Sequence, residues 1–190
     1  MTATALVAIV LAASIGDDST TFFSEGGDVL LGADTRAAAN TPADAELVPL
    51  LVVVLQRGKG SLTLTRESFE LFFPDGTRLP AAGTEEFWRE HRRARADRRL
   101  GSRFLEAVFG RWPSPPWRWA SLDFFPQRNG PTPRDGLDLR LSEGAFGYLY
   151  FRIPGGLRTR RGASAQLLVR PRGSPAAMVL DLRLPGPEAR

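Results

Sequence analysis

Between Leu47 and Leu79 the chain reads LVPLLVVVLQRGKGSLTLTRESFELFFPDGTRL, and few architectures accept such a run. Leu50 to Leu55 is apolar at every position and rich in β-branched valine, which predicts a central strand covered on both faces. Gly58-Lys59-Gly60 breaks that run. Leu62 and Leu64 then alternate with Thr63 and Thr65, so this strand should be wet on one side, and Phe69, Leu71 and Phe73 lead into the turn signal Pro74-Asp75-Gly76. This is the beginning of an antiparallel β-sandwich.

The rest of the chain repeats the pattern. A strand pair is expected at Thr20 to Phe23 and Asp28 to Leu31 around Gly26-Gly27. Leu137, Leu139 and Leu141 alternate with Asp138 and Arg140, and Phe146 to Ile153 is a strand rich in aromatics. Ala165 to Arg170 and Met178 to Leu184 close the sheet, with Leu180, Leu182 and Leu184 inward and Asp181 and Arg183 outward. Short strands at this spacing, separated by Gly and Pro turns, predict a mainly β fold: an immunoglobulin-like antiparallel β-sandwich with a short helical insertion. A chain of 190 residues suits one domain, taken as residues 17-190, large enough to bury a core without disulfide or metal support.

The insertion is expected at 84-119. Thr84 can cap a helix whose first turn carries Glu85 and Glu86, both favourable at the positive end of the helix dipole. Phe87, His91 and Ala94 share one face, and Leu100, Phe104 and Val108 follow at a spacing of four. Gly101 is expected to divide this stretch into two short helices. The prolines of Trp112 to Trp119, WPSPPWRW, bar regular helix and favour extended polyproline geometry.

The absence of cysteine excludes disulfides, thiolate metal sites and cysteine nucleophiles together. The net charge is +4, yet Lys59 is the only lysine, an arginine bias better explained by a GC-rich genome than by phosphate binding, so no nucleic-acid partner is expected. Charge is unevenly placed. Residues 1 to 46 hold seven acids against Arg36, a net of −6, whereas 89 to 103 hold seven arginines against Glu90 and Asp97, a net of +5. The apolar run Ala3 to Ser14 is too short for a membrane-spanning helix, which needs roughly 20 residues. It has the length of a signal-peptide core without a basic residue ahead of it, so residues 1-16 are read as an export-signal remnant or a first strand.

Chemistry-bearing residues are sparse. His91 is the only histidine, set among arginines that oppose both its protonation and cation binding, and reads as a helix residue packed beside Phe87. Glu67, Glu70, Asp123 and Asp138 fall where strands and turns predict exposure, and nothing marks two of them as a catalytic pair. No phosphate-cradling loop or dinucleotide fingerprint is present. Two clusters remain. Arg89, Arg92, Arg93 and Arg99, with Arg98 and Arg103, could converge on anionic groups or simply solvate a helix, where Glu85 with Arg89 and Arg93 with Asp97 are spaced for intrahelical pairs. Trp112, Trp117 and Trp119 could stack on a sugar ring or a peptide, or form a satellite core beneath the insertion.

The series Leu51-Val52-Val53-Val54-Leu55, Gly58-Lys59-Gly60, Leu62-Thr63-Leu64, Phe69-Glu70-Leu71, Asp75-Gly76 and Leu79 resembles the first half of a bacterial immunoglobulin-like domain of unknown function found in exported lipoproteins and secreted proteins. Leu139-Arg140-Leu141, Ser142-Glu143-Gly144 and Gly147 to Pro154, followed by Leu167 and Val169, resemble its second half. Arg57, where asparagine is common, and the long insertion depart from the pattern. The resemblance implies an extracytoplasmic location, in the periplasm, envelope or secreted, and carries over no catalytic residue. Independently of it, Asp75-Gly76 supplies the positive φ of a tight hairpin, and Gly144 or Gly147 allows close packing along the aromatic strand.

These features together predict a non-enzymatic envelope module, binding or structural, with no cofactor and no metal. Its expected partner is an envelope protein or polysaccharide, without a transmembrane span. The alternatives are a carbohydrate- or peptide-binding module using Trp112 to Trp119, and an anionic-surface binder touching the membrane through the Arg89 to Arg103 helix.

Overall fold

The computed structural model describes residues 20–90, 94–113, 116–125, 132–174 and 177–186, with the side chains of 90–100 outside the description. The central element is β3 (Leu47–Gln56), ten residues that are all buried. Its inward side chains Leu50, Val52 and Val54 belong to the main core, while Leu51, Val53 and Leu55 point the other way into a second apolar cluster. A strand apolar at both parities therefore does have a cover on each face, as its sequence requires. Each valine so buried is worth about 1.5–3 kcal/mol relative to exposure.

β3 lies between two long neighbours, β2 (Val29–Asp34) and β9 (Glu143–Arg152), both antiparallel to it. Outside β2 lies β1 (Thr21–Gly26), and outside β9 lies β7 (Arg118–Ser121), giving the order β1-β2-β3-β9-β7. β2 ends opposite Leu51, so Pro49 sits where β3 has β9 alone beside it, the edge-like setting in which a strand tolerates proline. The second sheet has the order β11-β10-β5-β6, built from β5 (Phe69–Phe72), β6 (Arg78–Pro80), β10 (Ser164–Val169) and β11 (Met178–Arg183). β4 (Leu62–Thr65) pairs with β8 (Gly136–Leu139) in a separate ribbon, and its alternating burial matches the half-wet strand predicted. The three consecutive runs from Leu47 to Phe72 thus enter three different sheets.

The molecule is a mainly β, sandwich-like assembly of antiparallel sheets with few helices, consistent with an immunoglobulin-like fold. Phe69, Leu71, Leu167, Val169 and Leu180 of the second sheet share the main core with the inner face of the first. On the outer face of the first sheet lies α3 (Ala94–Arg111), making a third layer. α1 (Arg36–Ala39) follows β2, and α2 (Thr84–Glu90) precedes α3.

Three expectations are corrected. The helix passes straight through Gly101, which lies inside α3 rather than between two helices. The tertiary contact of Phe104 and Val108 with the sheet compensates the modest helical cost of one glycine. Arg118 and Trp119, read as polyproline, begin β7, which pairs parallel to β9 and makes the first sheet mixed. Asp123 is buried, not exposed, and its carboxylate accepts a 2.6 Å hydrogen bond from the Ser121 hydroxyl. Burial of a carboxylate requires such partners.

Candidate functional site

The insertion is attached to the sandwich at both ends. At its start, Glu86 of α2 accepts the Gly83 backbone N–H at 3.1 Å and pairs with Arg152 of β9, which also binds Glu46 at 2.6 Å. The Arg152 guanidinium holds the Glu86 carboxyl below the usual carboxylate range, against a smaller opposing effect of burial. Beside this clamp, Phe87 lies edge-on to Tyr150 at 4.7 Å, and Phe125 meets the same tyrosine at 5.0 Å. Trp88, next along α2, is 64% exposed.

At its other end the insertion carries its tryptophans. Trp112 is buried, stands edge-on to Phe23 of β1 at 5.0 Å, and gives its indole N–H to Glu25 at 2.8 Å. Trp117 donates its own indole N–H to the Trp112 carbonyl at 3.0 Å. Trp119 lies between Phe109 of α3 at 5.3 Å and Phe146 of β9 at 5.9 Å, edge-on to both. Edge-to-face pairs of this kind add about 0.5–1.5 kcal/mol beyond the area they bury. Trp117 and Trp119 are half-buried, and Phe109 is 44% exposed, so the seam between α3 and β7 ends in an aromatic ledge open to solvent.

The arginines distribute differently. Arg89 is exposed and donates Nε to the Glu85 carbonyl at 3.4 Å, a backbone contact in place of the carboxylate pair its spacing suggests. His91, Arg92 and Arg93 lie outside the described residues, and Arg98 and Arg99 are described as backbone of α3 alone. Arg103 is exposed on that helix. Arg111 lies 3.5 Å from Glu25, the carboxylate that also receives Trp112. The acidic first hairpin and the basic helix, opposite in charge along the sequence, thus meet at Glu25.

The spacing Phe104, Val108, Trp112 extends the fourfold stripe by one member and is the sequence signal that assigns Trp112 to the packed face. Phe109 and Phe146, which flank Trp119, carry no such signal, because their meeting depends on a parallel pairing between β7 and β9. Among the described residues no group of three or more His, Cys, Asp or Glu is arranged to hold a metal ion, and no helix is long and apolar enough to cross a membrane.

No family model matches the sequence, and no curated protein matches it. One solved structure that it is similar to is described as a "putative lipoprotein (ycdA)" from Bacillus subtilis subsp. subtilis str. 168, with 12% sequence identity and a TM-score of 0.41. The match covers 88% of this chain and 39% of that one, so this chain spans about two fifths of its neighbour's length.

Proposed function

We propose that this protein is a non-enzymatic binding or structural module of the cell envelope, and that the layer formed by α3 and β7 performs its recognition. The observation that carries this reading is the exposed Phe109 packed edge-on against Trp119 at 5.3 Å, on a layer that a minimal sandwich does not require. Aromatic side chains in a partly exposed ledge, on a helix that also exposes Arg103 and Arg111, have the composition of an interaction surface rather than of a solvated helix. The apolar run Ala3 to Ser14, ahead of the first strand, supports an extracytoplasmic location.

The ledge favours an envelope protein or polysaccharide as partner. Trp112 is withdrawn from any stacking platform by its burial, so sugar or peptide stacking rests on Phe109, Trp117 and Trp119. An anionic surface held by arginine is separated from these by salt, since arginine contacts weaken as ions screen them and aromatic stacking does not. The test compares Phe109→Asp with Arg103→Gln/Arg111→Gln for retention on purified peptidoglycan and on an envelope extract, across a salt series. Loss of retention in Phe109→Asp at all salt concentrations is the expected result. Retention equal to the parent in both variants would move recognition off this layer.

A further inference from the structure

The second sheet carries a cavity of about 470 Å3 on the side of the sandwich away from α3. Its apolar lining comes from Phe22, Phe72, Pro74, Ala165 and Leu182. A concave, mostly apolar space of this size, with few polar groups at its rim, has the form of a small-molecule site.

The register of the strands fixes the chemistry of that rim. Gln166 lies opposite Asp181 and Ser164 opposite Arg183 in the β10–β11 ladder, while Gln166 also faces Phe72 across the β10–β5 ladder. Directly opposed residues share a face and neighbours along a strand alternate, so Ser164, Gln166, Asp181, Arg183 and Phe72 all stand on one side of the sheet. Asp181 and Arg183 are therefore two residues apart on that side, roughly 7 Å along the strand.

These two opposite charges do not neutralise each other. Gln166 donates Nε2 to Asp181 Oδ1 at 2.8 Å, which orients the carboxylate and leaves its second oxygen to accept. Arg183 donates Nε to the Gly162 carbonyl at 3.0 Å, which anchors the side chain and leaves its terminal nitrogens to donate. Among the described residues neither forms an ion pair. The other carboxylate on these strands behaves differently, since Glu70 lies between Arg78 at 3.9 Å and Arg170 at 3.4 Å.

An acceptor-only anion and a donor-only cation, held apart beside an apolar cavity, complement a molecule with an ammonium, a carboxylate and an apolar body. We propose that this cavity binds a short apolar peptide by its two ends, the ammonium on Asp181 and the carboxylate on Arg183, with the side chains against Phe72 and Pro74, which share that side of the sheet. The site is independent of the α3 layer and uses none of its residues.

The probe is the dipeptide leucyl-phenylalanine, titrated calorimetrically into the whole chain beside its N-acetylated and C-amidated forms. The free dipeptide should bind saturably at one site, and each blocked form should bind roughly two- to fivefold more weakly, the size of an exposed ion pair. Asp181→Asn should abolish the difference between the free and N-acetylated forms and keep that for the amide, and Arg183→Gln should do the reverse. Both replaced side chains are exposed, so the urea midpoint should stay at the parent value. Absence of saturable binding, equal binding of all three forms to the parent, or uniform weakening of all three by either variant would overturn the proposal. The three-ligand comparison on the parent chain stands by itself should a variant fail to fold.

Discussion

The indole N–H of Trp112 donates to Glu25 Oε1 at 2.8 Å, joining the end of the insertion to the tip of the first hairpin across 87 positions of chain. Phe23, two residues before Glu25, packs its ring against the same indole. One tryptophan thus supplies both apolar contact and a charge-assisted hydrogen bond to hold the third layer on the sandwich.

Trp112→Ala should therefore cost about 3–5 kcal/mol, the range for deleting a large buried aromatic. Trp112→Phe keeps most of the packing and removes the donor, and should cost about 1–3 kcal/mol. Urea unfolding followed by far-ultraviolet circular dichroism measures both. If Trp112→Ala unfolds with the parent's midpoint, the layer is not held here.

Val53→Asp places a carboxylate between the first sheet and α3, at a position with no exposure at all. An unpaired charge there has no partner to offset its desolvation, so stable folding should be lost. A cooperative melt near the parent temperature would contradict a strand buried on both faces. This position was legible in the sequence because the run Leu50 to Leu55 has no polar parity, and only a strand with two covers tolerates that. The alternations of Leu62 to Thr65 and of Leu180 to Arg183 were legible for the converse reason, each having one wet face. What the sequence concealed is nonlocal. The parallel pairing of Arg118 to Ser121 with Glu143 to Phe146 joins segments more than twenty positions apart, and no local period reports it. The ledge of Phe109, Trp119 and Phe146 inherits that opacity. So does the rim of Asp181 and Arg183, whose outward alternation is readable while their lack of mutual pairing is not.

Asp75 gives a pH signature. The Thr77 backbone N–H, then the Arg160 guanidinium at 2.6 Å, hold its carboxyl down to about 2 from an ordinary value of 3.8. A depressed carboxyl stabilises the fold above its unfolded value, and that contribution is lost as pH falls through its folded one. The difference in melting temperature between the parent and Asp75→Asn should be constant near neutrality and shrink between about pH 4 and pH 2. Arg160 also lies over the Phe73 ring at 4.5 Å, a contact that persists in the variant and keeps the hairpin in place. A difference that grows on acidification would reverse the assignment.

Gly147→Ala tests the seam between β9 and the segment after β7. A Cβ at this position would lie 2.8 Å from Leu122 Cβ, closer than real contacts come, and a tight 3.0 Å from the Leu122 carbonyl oxygen. The Leu122 N–H is itself bonded to the Phe146 carbonyl at 2.8 Å, so the segment cannot yield without losing that bond. A loss of about 1–3 kcal/mol is expected, as for overpacking in a filled core. An unchanged midpoint would mean that the two segments separate freely.

Gly101→Ala should act in the opposite direction. Gly101 lies seven residues into the eighteen of α3, and a Cβ built on it meets nothing within 4 Å. In a helix interior glycine costs roughly 0.5–1 kcal/mol relative to alanine, because the unfolded chain loses more freedom on ordering it. With no clash to offset that gain, the variant should unfold later in urea by about that amount and keep its helical circular dichroism. The sign discriminates between two structures of the insertion. A continuous α3 gains from alanine, whereas a helix broken at Gly101 with the glycine in a turn would be strained by it, and a destabilised variant would restore the two-helix reading.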